Sequence, residues 1–317
     1  MNPRSIDRRR FLQGTIAAGT AFGLGLGTSR ADESGKPASG KIGDFKISLA
    51  EWSLHDTLFK GKLDNLDFPK VARETYGIEA VEFVNQFFKD KAEDKAYLKE
   101  LKKRADDHGV ACVLIMIDLD RKLDFSSSEK AVREKAVEAH KPWVDAAAAL
   151  GCHAIRINTG GNYSPSNVEA AADGCSKLAE YGESRKINII CENHGGPSSD
   201  PDSLIALIKA VNSPRFGTLP DFGNFPRDKQ GKHTIDVYQA IARLMPYAKG
   251  VSAKSYGFNS DGKESQLDFA RILKIVTDSG YNEYVGIEYE GKSMSEHEGI
   301  VATKKLLESL RGADYVG

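Results

Sequence analysis

The feature that most constrains this chain is an alternation of short apolar runs with longer amphipathic stretches, sustained from Lys46 almost to the C-terminus. Eight runs read as strands: KISLAEW (46–52), IEAVEFV (78–84), VACVLIMI (110–117), HAIRIN (153–158), INIICEN (187–193), FGTLPDF (216–222), AKGVSAK (248–254) and EYVGIEYE (283–290). They recur at roughly 30 to 40 residues, the length of one strand-loop-helix-loop unit. Apolar residues at helical spacing lie between them, over 96–109, 129–151, 167–186, 203–211, 237–245 and 267–280. Gly77, Gly109, Gly151 and Gly280 stand at helix-to-strand junctions, where a C-cap is expected. Eight such units in roughly 250 residues predict an α/β fold, a single (β/α)8 TIM barrel. The alternative, a doubly wound sheet, lacks its fingerprint: SLAEWSLHDTLF contains no GxGxxG, and the glycines of GTAFGLGLG lie upstream of the first strand.

The N-terminus reads differently. Arg8, Arg9 and Arg10 precede Phe11-Leu12, an uncharged Gly/Ala/Leu-rich run reaches Ser29, and Ser29-Arg30-Ala31 offers a small-x-small cleavage site. This resembles a twin-arginine export signal over residues 1–31, with a polar linker over 32–43 and the barrel over 44–317. The apolar run is shorter than the roughly 20 residues a spanning helix needs, so no stable membrane anchor is expected after cleavage. Export by the twin-arginine route predicts a periplasmic or otherwise exported protein that leaves the cytoplasm folded, with any metal already loaded. A net charge of -1 gives no basic surplus for nucleic acid. Cys112, Cys152, Cys175 and Cys191 form no CxxC pair and read as buried thiols. A homo-oligomer is left open.

Barrel active sites lie at the C-terminal ends of the strands, so polar residues there are the informative ones. IICENHGG (189–196) begins as a buried strand and then turns polar at Glu192, Asn193 and His194. Comparable strand ends carry Glu51 and His55, Glu82 and Asn85, Asp118, Arg156 and Asn158, Asp221 and Asn224, Ser252 and Lys254, and Glu288 and Glu290. Glu192, Asp221 and Glu288 end the fifth, sixth and eighth strands. Around one axis they would repel strongly unless a cation sat among them. Oxygen ligands of this kind suit Mn2+, Mg2+ or Co2+. The opposing expectation is that these acids are structural partners of Arg156 or Lys254.

The ordered motifs ENHGG, PDFGNF and GIEYEG, on this eight-strand pattern, resemble the xylose-isomerase-like barrel superfamily, and within it the sugar phosphate isomerase/epimerase branch, which shares its fold with endonuclease IV. The resemblance spans about residues 45 to 312. It implies a carbohydrate substrate and a divalent metal (Mn2+, Mg2+, Co2+ or Zn2+) held by Glu192, Asp221 and Glu288, with the two glutamates doubling as an acid/base pair. The family's strand-seven His falls on Ser252, and its Asp-x-x-His reads Asp221-Phe222-Gly223-Asn224 here. The fourth ligand is therefore Ser252 or His194, or else Lys254 supplies the positive charge in place of a metal. His194 reads equally as ligand, substrate contact or orienting residue. Lys254, Asn224, Arg156, Glu82, His55 and Trp52 are expected to contact substrate, with pairing of Glu82 and Arg156 the alternative. His108, His140, His233 and His297 are expected to be solvated.

These readings point to an isomerase or epimerase that abstracts a proton next to a carbonyl and passes through an enediolate. β-Elimination from a keto-glycoside uses the same proton abstraction, and a metal-free sugar-binding protein is the non-enzymatic rival. Phosphodiester cleavage is disfavoured, because a trinuclear zinc site needs more His ligands than these strand ends carry.

Overall fold

A computed structural model describes residues 37–317; the twin-arginine signal lies outside the described residues. Eight parallel strands form the sheet: β1 (Lys46–Ala50), β2 (Ala80–Val84), β3 (Ala111–Met116), β4 (Ala154–Ile157), β5 (Asn188–Glu192), β6 (Phe216–Leu219), β7 (Val251–Ser255) and β8 (Tyr284–Tyr289). Their order is β6-β5-β4-β3-β2-β1-β8-β7. The circuit closes through isolated parallel bridges, Thr218 with Ala248 and Asp221 with Ser252. Each strand is followed by a helix of the outer ring: α1 (Phe68–Tyr76), α2 (Lys95–Asp107), α3 (Lys130–Leu150), α4 (Glu169–Arg185), α5 (Pro201–Val211), α6 (Val237–Leu244), α7 (Phe269–Asp278) and α8 (Glu296–Leu310). The chain is a (β/α)8 TIM barrel.

Side-chain alternation along each strand divides the core in two. Outward-facing residues such as Leu49, Ile115, Ile155, Ile189 and Ile287 pack against the helices in one large cluster. Inward-facing Ala50, Ala80, Val84, Val113, Ala154, Ile190 and Leu219 form a smaller plug inside the barrel. Above that plug the inward positions turn polar, and the same alternation that aims Ile190 and Leu219 inward aims Glu192 and Asp221 at one mouth.

Two helices of the ring, α1 and α8, carry signals that the spacing argument passed over. Pro69 sits at the start of α1, and Ser295 with Glu298 forms a capping box before α8. Gly77 (φ 62°) and Gly151 (φ 79°) end α1 and α3 in the left-handed conformation, which favours glycine. The stretch 37–43, read from composition as linker, is tied down: Gly40–Lys41 pairs antiparallel with Asp314–Tyr315, and Ile42 is buried. No helix among the described residues is long and apolar enough to cross a membrane.

Candidate active site

At the mouth, Glu192, Asp221 and Glu288 bring carboxylate oxygens to within 4.8 Å of one another, and all three side chains are buried. Asp221 is held by its backbone as much as by its side chain. Asn193 accepts from Asp221 N through Oδ1 (2.7 Å) and donates to Asp221 O through Nδ2 (3.0 Å), extending β5 toward β6 with a side-chain amide. Pro220 has no N–H to offer, and its carbonyl accepts from Ser252 N at 3.0 Å, closing the barrel at this seam. Asp221 Oδ1 accepts from Gly223 N (2.8 Å) and Asn224 N (2.7 Å), and Phe222 anchors the turn against Phe269.

Each acid has its own partners. Asn224 Nδ2 donates to Glu192 Oε1 at 2.7 Å. Arg156 Nε lies 3.0 Å from Glu192 Oε2, yet this N–H makes no hydrogen bond, so the contact is one of charge rather than direction. Glu288 Oε1 accepts from Lys254 Nζ at 2.7 Å, and the same ammonium reaches Glu290 Oε2 at 2.8 Å. The Ser252 hydroxyl lies 2.6 Å from Asp221 Oδ2 and 2.8 Å from Glu288 Oε2. A hydroxyl has one hydrogen. Only one of these two oxygens can receive it, and the other faces a like charge without a donor. Burial, followed by the charges of Glu192 and Glu288 and against that of Lys254, pushes Asp221 up to about 8.

That surplus of negative oxygen tests the fit of a metal. Five acids, Asp118, Glu192, Asp221, Glu288 and Glu290, share the two cations Arg156 and Lys254, so negative oxygen is in excess even with Asp221 protonated, and a divalent cation among the triad would offset it. All the converging donors are oxygens, which suits hard divalent cations. Ser252 stands in the seam between Asp221 and Glu288, where the resemblance led one to expect His. His194 is not part of the triad. It is exposed at the mouth, its Nδ1 3.2 Å from Asn158 Oδ1.

Beside this cluster opens a cavity of about 770 Å³ lined by Trp52, Gln86, Asp118, Arg156, Asn158, His194, Glu288 and Glu290, among others. Asp118 Oδ1 accepts from Arg156 Nη1 (2.7 Å) and Asn158 Nδ2 (2.8 Å). Burial works against its charge, but Arg156 holds Asp118 well below the usual carboxylate range. Glu290 shows the same balance: burial is outweighed by Lys254 and the Trp52 indole N–H, and its carboxyl is held low. Asp118, Asn193 and Glu290 were legible as polar strand-end residues but received no role; their signal was position alone.

Several expected contacts fall elsewhere. Glu82 does not line the cavity and does not pair with Arg156, whose carboxylate partners are Asp118 and Glu192. It lies inside the barrel with Ser48 Oγ donating to Oε1 at 2.6 Å, while Oε2 has no partner. Glycine at 286 makes the room, because a Cβ there would stand 2.6 Å from Glu82 Oε1. Burial, above all, pushes Glu82 up to about 8. Lys254 is buried behind Glu288 and Glu290 rather than lining the cavity. His55 stacks on Trp52 with ring centroids 5.0 Å apart, and its Nδ1 contacts Trp52 O at 2.8 Å. His140, expected in solvent, is buried: the ring packs on Phe125, Nδ1 meets Ala136 O at 2.7 Å, and burial lowers it to about 4. The helix face that carries it turns toward the core, which the Ala-rich pattern of α3 did not reveal.

Residues 70–311 match the model of the xylose isomerase-like TIM barrel family. The chain belongs to this family. Over 89 residues it is 30% identical to a C-glycoside deglycosidase alpha subunit of Microbacterium trichothecenolyticum, a match covering 28% of this chain and 23% of that protein. Among solved structures it is similar to the probable 3-DHS dehydratase AsbF, involved in petrobactin synthesis, from Bacillus anthracis (TM-score 0.64, 16% identity, 83% of this chain and 99% of that one). It is also similar to an L-ribulose 3-epimerase (TM-score 0.63, 17% identity, 84% of this chain and 94% of that one). At such identities the structural likenesses show the fold alone.

Proposed function

We propose that the chain is a divalent-metal-dependent isomerase or epimerase of a sugar or keto-sugar. The convergence of Glu192, Asp221 and Glu288 to within 4.8 Å beside a polar cavity carries this reading. Those three residues, with Ser252 as the nearest neutral oxygen, would hold Mn2+, Mg2+, Co2+ or Zn2+. When bound, the ion would supply Lewis-acid polarisation of the substrate carbonyl.

The chain's own groups do the rest. In this reading Glu192 is the base: Asn224 donates to its Oε1, and Oε2, 3.0 Å from the Arg156 guanidinium, would take the proton from the carbon next to the carbonyl. Glu288, which lines the cavity and accepts from Lys254 on one oxygen, is in the same reading the group that returns a proton. Return to the opposite face of the same carbon is epimerisation; return to the neighbouring carbon is isomerisation. Arg156, Asn158 and His194 line the cavity and orient substrate oxygens. The test is turnover in deuterium oxide with Glu288→Gln at saturating Mn2+. Turnover is expected to fall about 10² to 10⁴-fold, and wild-type product is expected to carry deuterium. Full activity of this variant at saturating metal would overturn the acid/base pair.

A second reading keeps the same base and places a leaving group on the adjacent carbon, giving β-elimination from a keto-glycoside. The partial match to a C-glycoside deglycosidase alpha subunit favours keeping it. Release of aglycone without a change of stereocentre would select it. We further propose export of a mature chain beginning near Asp32, tested by replacing Arg8 and Arg9 with lysine; normal export of that variant would remove the twin-arginine reading.

A further inference from the structure

The cavity extends well beyond the acid triad. In the closed circuit of eight strands, β4 stands across the barrel from β8. Glu288 and Glu290, at the close of β8, form one end of the cavity. The other end is formed by β3, β4 and the loops after them, which supply more than half of the lining. The volume of about 770 Å³ lies high in the roughly 300–1,000 Å³ range of ligand pockets. A single sugar ring held at Glu288 leaves the far end unfilled.

That far end is built to share hydrogen bonds rather than to hold a charge. Gln86 donates to Asp118 Oδ2 at 3.3 Å, and its own carbonyl oxygen has no partner among the described residues. Asp120 accepts from Lys122 N through Oδ1 at 2.9 Å, which leaves Oδ2 uncommitted. Arg121 makes no hydrogen bond or ion pair among the described residues, so its five donors are unspent. All three line the cavity. Asp118 is already matched by Arg156 at 2.7 Å, so the charges left at this end are Asp120 and Asp124 against Arg121. An anion there meets two carboxylates, and a cation meets the guanidinium. A neutral polyol suits both: its hydroxyls donate to carboxylate oxygens and accept from guanidinium and amide N–H groups. Leu119 and Leu123 line the same end and offer apolar contact to the C–H side of a ring.

We infer that the Gln86, Asp120, Arg121 end of the cavity is a subsite for a second sugar ring, so the ligand class is a disaccharide or longer saccharide rather than a free monosaccharide. This rests on the carbohydrate reading above, with the reacting ring at Glu288. The probes are maltose, cellobiose, lactose and melibiose, each capped as its methyl glycoside, compared with the methyl α- and β-glucosides and galactosides. They contain no carbonyl next to an abstractable proton, so binding is read by calorimetry in Mn2+ without turnover. At least one capped disaccharide is expected to bind at least about tenfold more tightly than either of its rings alone. Arg121→Ala, at an exposed loop position that does not threaten folding, and Gln86→Ala are each expected to weaken that disaccharide about three- to tenfold and leave the single rings unchanged. Disaccharides no tighter than their rings, wild-type affinity in both variants, or an equal loss for disaccharide and single ring overturns the subsite and leaves the carbohydrate reading standing. If no probe binds, the subsite also falls, and deuterium uptake into a keto-sugar product decides the carbohydrate reading separately.

Discussion

Replacing Lys254 with methionine tests what holds the acid cluster together. Methionine keeps most of the side-chain volume, so the change is mainly one of charge. The Lys254 side chain is 2% exposed, Glu288 6% and Glu290 31%, with contacts of 2.7 and 2.8 Å. At an effective dielectric near 20, each contact represents a gross attraction of about 6 kcal/mol, most of it offset by desolvation. Removing one member of a buried pair leaves the other uncompensated, at a typical cost of about 3 to 5 kcal/mol. For a chain of this size that corresponds to a fall in Tm of about 6 to 20 °C. The assay is thermal unfolding in chelator at pH 7 and pH 4. Lys254 pulls Asp221 and Glu290 toward their charged forms, so without it the penalty on those charges is greatest at neutral pH and fades toward pH 4 as the two groups take protons. Adding Mn2+ should restore more stability to the variant than to the wild type, because a cation replaces the lost charge. A Tm within about 2 °C of wild type at pH 7 would refute the argument that Lys254 neutralises this cluster.

The remaining predictions follow from local geometry. Glu51 accepts from Asn65 Nδ2 and Val84 N, Glu82 accepts from Ser48, and burial pushes both glutamates up to about 8. Between the unfolded value near 4.5 and about 8 the folded chain holds more protons than the unfolded one, so these groups make stability fall as pH rises through that window. Glu82→Gln is expected to flatten the decline in Tm between pH 5 and 8, and an unchanged slope counts against it. Gly286→Ala is expected to cost about 1 to 3 kcal/mol in denaturant unfolding, since its methyl would land 2.6 Å from Glu82 Oε1. Ser252→Ala removes the one hydroxyl between Asp221 Oδ2 and Glu288 Oε2. It is expected to cost about 1 to 3 kcal/mol without metal and less at saturating Mn2+; an equal loss in both conditions counts against a cation at that position.

What the sequence determined by itself was the barrel and the identity of the acids at its mouth. Strand alternation is a local property: once Ile190 and Leu219 point inward, so do Glu192 and Asp221, and the repeat length leaves eight parallel strands little choice of architecture. Only the tertiary structure decided how those acids are shared. That Asp221 and Glu288 compete for one Ser252 hydrogen depends on the seam between β6 and β7, where Pro220 interrupts the ladder, and no spacing in the sequence measures that distance. Glu82 shows the limit well: at a strand end it reads as a substrate contact, but Gly286, more than two hundred residues later, opens the space that lets it sit inside the barrel. His140 is buried for the same kind of reason, since the pattern of a helix names its faces but only packing against Phe125 decides which is inside. Chemistry at the site was legible because residue type carries charge. Partnership was not, because hydrogen bonds between strands are set by three-dimensional register.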